Sequence, residues 1–398
     1  MHLSESGVAR NVTRRTALKW MTFAVGGSAL GACVPFSPAP APSRARRRLA
    51  PVRVSEDRVI RTVVGLRPFR RSGFLVRADT QDDKLLIHNY GHGGGGVSLS
   101  WGTAELAAEL AMASAQRQAA VVGCGVIGLS TARLLQDHGF AVTIYARDLP
   151  PNTTSNIAGA QWFPVAVVDA DQATAAFEAQ FVRASRFANR YFQTMVGARY
   201  GISWRENYSI STQTNVPSSG GSWEWSHLHD LLIRTDLSPD ESPFPSFRVS
   251  HFLSMHIEPS IYLPAVLQDF RIAGGRVVVR EFPDAHSIIG LAEPVIVNCT
   301  GLAAGKLFGD PDVIPIKGQL TVLAPQPEVD YITVGPGDLY MMPRQDGIIL
   351  GGTHERGEWS LEPNAAETAR ILRGQRDLFA AMRQPSASLS VSHDEPPL

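Results

Sequence analysis

The chain has 398 residues and balanced charge, with 37 basic against 37 acidic side chains and 44% hydrophobic residues. That balance argues against a nucleic-acid partner, whose phosphates require a basic excess. Three cysteines, Cys33, Cys124 and Cys299, are too few for a disulfide framework or a four-ligand zinc site. The length suits two domains with a full core.

The first segment, residues 1–33, reads as an export signal. Paired Arg14 and Arg15 follow Thr13 and precede Leu18-Lys19, and a short apolar stretch runs from Trp20 to Ala32. That stretch is too short to span a bilayer comfortably, and the twin arginines match a Tat-type signal, a route that carries folded proteins. "LGAC" ending at Cys33 resembles a bacterial lipobox, so both a lipid anchor through Cys33 and ordinary cleavage nearby fit. The expected location is extracytoplasmic. Residues 34–57, rich in Pro and carrying "RARRR" at Arg44–Arg48, read as a solvated linker.

Next, Arg58–Asp79 reads as two short strands around a Pro68 turn, and "KLLIHNY" as another strand. The glycine run Gly93–Gly96 leads into a helix placed at Thr103–Ser114. Strand Ala119–Val122, helix Val126–His138 and strand Ala141–Tyr145 then make a βαβ unit. "GCGVIG" sits where the first strand meets the helix. Gly123 permits the turn, Gly125 lets the backbone approach a pyrophosphate, and Gly128 lets helix pack on strand. Val126 and Ile127 open that helix, so its N–H groups face the same anion. The end of the second strand supplies an acid to the ribose in such folds; here Arg147 takes or neighbours that place and Asp148 follows it.

From Ala170 to Arg280, helices alternate with polar, Trp-rich segments. Gly275–Phe282 and Pro294–Gly301 then read as strands, the second apolar on both faces, as a central parallel strand is. "QLTVLAP", "LYMMPRQDGIILGG" and a helix at Ala365–Met382 follow. The fold class is α/β, a Rossmann-like doubly wound dinucleotide-binding domain interrupted by a mainly antiparallel α+β substrate domain. The first takes residues 58–169 and 275–318, the second 170–274 and 319–383, with a tail at 384–398.

Two glycine-rich helix starts stand back to back, at Gly93–Gly96 and at Gly123–Gly128. One pyrophosphate needs only one of them. The other suits the negative charge that a reduced flavin carries at its N1–C2=O locus. The pair therefore favours a flavin over a nicotinamide cofactor.

The blocks "VVGCGVIGLSTA", "TTSNIAGAQWFP", "VIVNCTG", "LYMMP…GGTHERGEW", "GLRP" and "NYGHGGGGVSLSWG" together resemble the D-amino-acid oxidase and D-aspartate oxidase family, over most of the chain from Arg58 to about Arg383. In that family "GLRP" and "NYGHGG" close the polypeptide, whereas here they precede the dinucleotide strand. The chain therefore looks like a circular permutant, with 58–118 as the displaced C-terminal segment. The resemblance implies FAD as cofactor, with oxidation of a D-amino acid to an imino acid by hydride transfer from Cα to flavin N5. O₂ is then the acceptor and H₂O₂ the product, and the imine hydrolyses to a 2-oxo acid and ammonia.

It further implies that Arg67 and Tyr340 hold the substrate carboxylate, and that Thr153, Thr154 and Ser155 meet phosphate. Gly159, Ala160, Gln161 and Trp162 lie near the isoalloxazine, Thr300 and Gly301 toward the adenine side, and Gly93, Gly94, Gly96, Val97 and Ser98 along the flavin ring. No metal is implied, and His92, His227 and His229 read as structural or solvated. Phe163 and Val165 depart from mammalian relatives, and the short stretch between Gln319 and Tyr340 implies a reduced lid. Arg344, Arg356 and Arg205 stay open as partners for an acidic side chain, with neutral D-amino acids favoured. D-aspartate oxidase, glycine oxidase and a non-catalytic amino-acid-binding flavoprotein are the alternatives.

Overall fold

A computed structural model describes residues 49–159, 161–212 and 223–383. The export signal, Cys33, the "RARRR" run, Ala160 and the tail lie outside these residues.

The chain opens with strands β1 (Val59–Arg70), β2 (Leu75–Gln81) and β3 (Lys84–Tyr90), then helix α1 (Gly96–Met112). β4 (Gln118–Val122), α2 (Val126–Asp137) and β5 (Ala141–Ala146) form the βαβ unit. After these come α3 (Ala175–Thr194), β6 (Ile202–Ser211), α4 (Trp223–Leu228), β7 (Thr235–Leu237), β8 (Arg248–Ile257) and α5 (Pro259–Ile272). β9 (Arg276–Val279), α6 (Ala285–Ile289), β10 (Val295–Asn298), α7 (Ala303–Leu307) and β11 (Val313–Leu323) lead to β12 (Tyr331–Val334). β13 (Tyr340–Arg344), β14 (Gly347–Gly351), the two-residue β15 (Glu355–Arg356) and α8 (Ala365–Ala380) complete it.

Two sheets organise these elements, as a mixed α/β fold requires. The six-stranded sheet runs β2-β3-β10-β4-β5-β9, parallel throughout except for the edge strand β2. β10 is buried at all four residues, because both faces are covered. Val295 and Val297 face the core shared with α1, α2 and α5, while Ile296 faces Phe282 and Ile288. The nine-stranded sheet runs β1-β11-β14-β13-β12-β6-β8-β7, with β15 on β11, and only the β12–β6 pair is parallel.

Four sequence expectations need correction. Pro68 does not turn the chain: β1 passes straight through it, and Pro68 faces Pro315 in the β1–β11 ladder. β1 is an edge strand, where a missing N–H is tolerated. Opposed prolines also fit an antiparallel position at which facing residues exchange no bonds. Second, the helix after the glycines starts at Gly96, not Thr103, directly out of a 3₁₀ turn at Gly93–Gly95. The amphipathic helix expected there is buried nearly all round, which hides a one-sided pattern.

Third, the linker does not stay solvated. From Leu49 onward it is anchored: Leu49, Val52 and Val54 are buried in the core that α8 caps. The Tyr331 hydroxyl donates to the Ala50 carbonyl at 2.6 Å and reaches the Met382 sulfur at 3.8 Å. Fourth, β11 continues unbroken through the boundary expected at 318/319, and β1, assigned to the cofactor domain, belongs to the antiparallel sheet. Among the described residues no helix is long and apolar enough to cross a membrane.

Candidate active site

Arg67 and Tyr340 start from strands separated by two others, in the order β1-β11-β14-β13. At the level where they meet, the intervening strands carry glycines. A Cβ on Gly318 would lie 2.6 Å from the Arg67 guanidinium nitrogens, and one on Gly351 would lie 2.1 Å from the Tyr340 ring. With both positions bare, guanidinium and phenol lie flat over the sheet and come within hydrogen-bonding reach of each other. Arg67 Nη1 also donates to the Thr353 carbonyl at 3.2 Å.

Burial pushes the Tyr340 phenol above its ordinary pKa, opposed in part by Arg67, so the hydroxyl stays a donor. Two donors, one of them charged, thus converge on one point, an arrangement that holds a carboxylate. Gly351→Ala should leave the fold intact but swing the Tyr340 ring away, since the ring has rotamer freedom and the backbone has not. The dissociation constant for a small carboxylate ligand is expected to rise about tenfold, the loss of one hydrogen bond to a charge; a value within twofold of the parent would refute this.

The same sheet face receives the Gly159 loop and the glycine turn before α1. Gly159 packs over β13, where a Cβ would meet Met342 Sδ at 2.6 Å and the Tyr340 ring at 3.9 Å, and Ile157 rests on Gly65 at 3.2 Å. Phe69, two residues beyond Arg67 and so on the same face, lies 2.8 Å from the Cβ position of Gly93, while Pro68 is 3.8 Å from that of Gly301. The Gly159 loop therefore borders the Arg67–Tyr340 pair, and the glycine turn that leads through Gly94 and Gly96 into Val97 and Ser98 of α1 reaches the Arg67 face at Phe69, whereas the Thr300–Gly301 turn meets β1 on its other face, at Pro68. Gln161 donates to Asn207 Oδ1 at 2.6 Å. Trp162 is fully buried, and its indole N–H lacks a partner.

At the dinucleotide end, Gly123 has φ +118 and a Cβ there would meet the Cys299 carbonyl at 2.4 Å; one on Gly128 would meet the Gly123 carbonyl at 2.0 Å. Above Gly125 the nearest atom is Ser155 Oγ at 3.2 Å, which accepts the Val126 N–H at 3.0 Å. Ser155 and the start of α2 thus share one spot, beside the half-buried Ile127. Thr153 donates to Asn156, and Thr154 opens a 3₁₀ turn. Thr300 donates to Asn298. Arg147 and Asp148 pair with each other at 2.8 Å, exposed beyond β5. A cradle of bare backbone and helix N–H groups fits a pyrophosphate.

Sequence reasoning missed Gly318, Gly351, Met342, Thr353 and the pair His354–Asp338, whose Nδ1 and Oδ2 stand 3.0 Å apart beside Arg67. The available signal was glycine inside strand patterns, in "IKGQL" and "IILGG". Two of the three arginines left open are committed elsewhere: Arg344 pairs with Glu258 and Asp346, and Arg356 with Asp169 over the Phe69 ring. Arg205 reaches the Asp330 carbonyl, but its buried Nε has no partner. Phe163 packs on Trp225. His227 and His229 bond backbone carbonyls of their own helix, and no metal-holding group of three ligands occurs among the described residues.

His92, fully buried, stacks on Phe74 and contacts Thr103 Oγ1 at 3.0 Å. Burial holds its pKa down to about 3, and burial with Arg205 and Arg344 nearby holds that of His256 down to about 4. Both stay neutral in the folded state while the unfolded chain binds protons below about pH 6.5. Stability is therefore complete above that pH and falls as the pH drops from there toward 4. Urea midpoints should follow this slope, and His92→Gln should flatten it; an unchanged slope would refute the assignment.

The family model described as FAD dependent oxidoreductase matches residues 39–110 and 118–393. The D-amino-acid oxidase of Rubrobacter xylanophilus is 33% identical over 265 residues, 64% of this chain and 75% of that protein. The D-aspartate oxidase of Homo sapiens is 30% identical over 259 residues, 64% of this chain and 73% of that protein. The D-amino-acid oxidase of Streptomyces coelicolor is 31% identical over 260 residues, 64% and 75% respectively. The chain belongs to the D-amino-acid oxidase family of FAD-dependent oxidoreductases, and its cofactor is FAD.

Proposed function

We propose that this chain oxidises neutral D-amino acids, converting substrate, O₂ and water to a 2-oxo acid, ammonia and H₂O₂. The observation that carries the reading is the meeting of Arg67 and Tyr340 over Gly318 and Gly351. Arg67 holds the substrate carboxylate through its planar fork, and the Tyr340 hydroxyl donates to the same group. Together they fix the orientation of the Cα–H bond, from which much of the rate in such chemistry derives. FAD, when bound, supplies the two-electron acceptor that O₂ regenerates. The start of α2 with Ser155 would hold its pyrophosphate, and the Gly159–Trp162 loop and the start of α1 would border its ring. A neutral side chain is supported by the prior commitment of Arg344 and Arg356 to carboxylates of the chain itself.

The test is a peroxide assay on purified yellow protein across D- and L-amino acids. Peroxide with neutral D-amino acids is expected. A response confined to D-aspartate or glycine transfers the chain to that activity, and a flavin spectrum that shifts without bleaching under anaerobic conditions makes it a binder.

Two further readings belong here. The order of segments is that of a circular permutant, supported by a family match that breaks between residues 110 and 118, where α1 feeds β4. Export in folded form is supported by the twin arginines, with or without a lipid on Cys33; fractionation with a Cys33→Ala variant separates the two.

A further inference from the structure

We infer that Arg344 is a positioning residue that locks the Gly159 loop onto the strand carrying Tyr340; this rests on the reading that the loop borders the flavin. Arg344 is the fifth residue of β13, and alternation places it on the face of Tyr340 and Met342. Its side chain is only 6% exposed, as is that of Glu258. Nη1 donates to the carbonyls of Asn156 at 3.3 Å and Ala158 at 3.2 Å. Nε and Nη2 donate to the two Asp346 oxygens at 2.9 and 3.1 Å, with Glu258 Oε1 3.2 Å from Nε. Glu258 also accepts the Gln345 N–H and the Ser260 hydroxyl.

A buried ion pair is weak evidence for stability, and the pairing with Glu258 and Asp346 alone would leave the loop untouched. The two carbonyls are the informative contacts. They flank Ile157, which rests on Gly65, and they immediately precede Gly159, which rests on Met342 and Tyr340. One planar group therefore sets the height of the loop above the same strand that presents the phenol. Only a guanidinium spans both carbonyls while keeping both carboxylates; an ammonium has no second prong in that plane.

The experiment uses the holoprotein, with free-flavin fluorescence on dilution giving FAD dissociation and visible absorption reporting the ring environment. Arg344→Lys keeps the charge and should raise the FAD dissociation constant about tenfold, the equivalent of about one charge-assisted hydrogen bond. It should also blur the fine structure of the flavin band, with unfolding still cooperative. Glu258→Gln, which retains shape and loosens the guanidinium, should move both readouts the same way by less, and it carries the test if the lysine variant does not fold. Gly159→Val is the control, since its side chain must collide with Met342 and Tyr340. If the control shifts both readouts and the folded Arg344 or Glu258 variant leaves them within twofold of the parent, the positioning role is overturned. If the control shifts neither, the loop does not border the flavin and the underlying reading fails first.

Discussion

Arg67→Ala is expected to lower kcat/KM for a neutral D-amino acid by about 10²- to 10⁴-fold, the usual cost of removing one partner from a desolvated, hydrogen-bonded charge pair. The guanidinium lies over Gly318 with one nitrogen on the Thr353 carbonyl, so its place is set by the strand beneath it. Alanine leaves the Tyr340 hydroxyl as the remaining donor, which binds a carboxylate but does not fix its plane. Both constants should suffer: KM rises because charge pairing is lost, and kcat falls because Cα–H no longer holds one orientation. The flavin spectrum should stay that of the parent, since Arg67 approaches the cofactor loops only through Pro68 and Phe69. Steady-state peroxide kinetics with the flavin content measured in parallel decides the matter. Unchanged kcat with raised KM would make Arg67 a pure binding group, and unchanged values of both would remove the clamp from the mechanism.

Gly128→Ala should yield protein without flavin. A methyl group at this position would lie 2.0 Å from the Gly123 carbonyl. Both partners are backbone, held by α2 on one side and by the bond from the Gly123 N–H to the Tyr145 carbonyl on the other. The helix start must therefore move by an ångström or more, which costs about 1–3 kcal/mol in overpacking. The displaced N–H groups of α2 then miss the pyrophosphate, and losing one or two hydrogen bonds to a charged group, about 3 kcal/mol together, weakens binding about a hundredfold. Ratios of visible to ultraviolet absorbance in purified protein measure the outcome; a fully yellow, fully active Gly128→Ala protein would mean that α2 is not the phosphate-binding helix. Gly125→Ala provides the contrast, because the nearest atom to its Cβ is a movable hydroxyl at 3.2 Å.

The parallel half of the fold was legible because its strands are short, apolar and punctuated by glycines. The elements from Gln118 to Ala146 fall within a residue of their expected places, and the strand expected at Pro294–Gly301 is there but ends three residues early, at Asn298. Local pattern failed where pairing decided the outcome. Pro68 reads as a turn in isolation and as strand only once Pro315 stands opposite, nearly 250 residues later. Likewise α1 hides its true start, since glycine is a poor helix former, and the run is glycine because neighbouring chain leaves no room for side chains, Ala166 and Phe69 at Gly93 and Val165 at Gly94. In the site, the polar members were recognisable by their motifs. Gly318 and Gly351 were not, because their contribution is an absence of side chain whose meaning appears only when four strands lie side by side.

The Tyr331 hydroxyl that touches both Ala50 and Met382 brings the two ends of the described residues within reach of a single phenol. A handful of small residues should suffice to splice Met382 to Leu49. The polypeptide could then be opened at the exposed turn following Met112, giving a molecule with the same contacts and a different beginning. If that re-cut version turns yellow and folds as readily as its parent, the packing of the fold does not depend on where the backbone is opened.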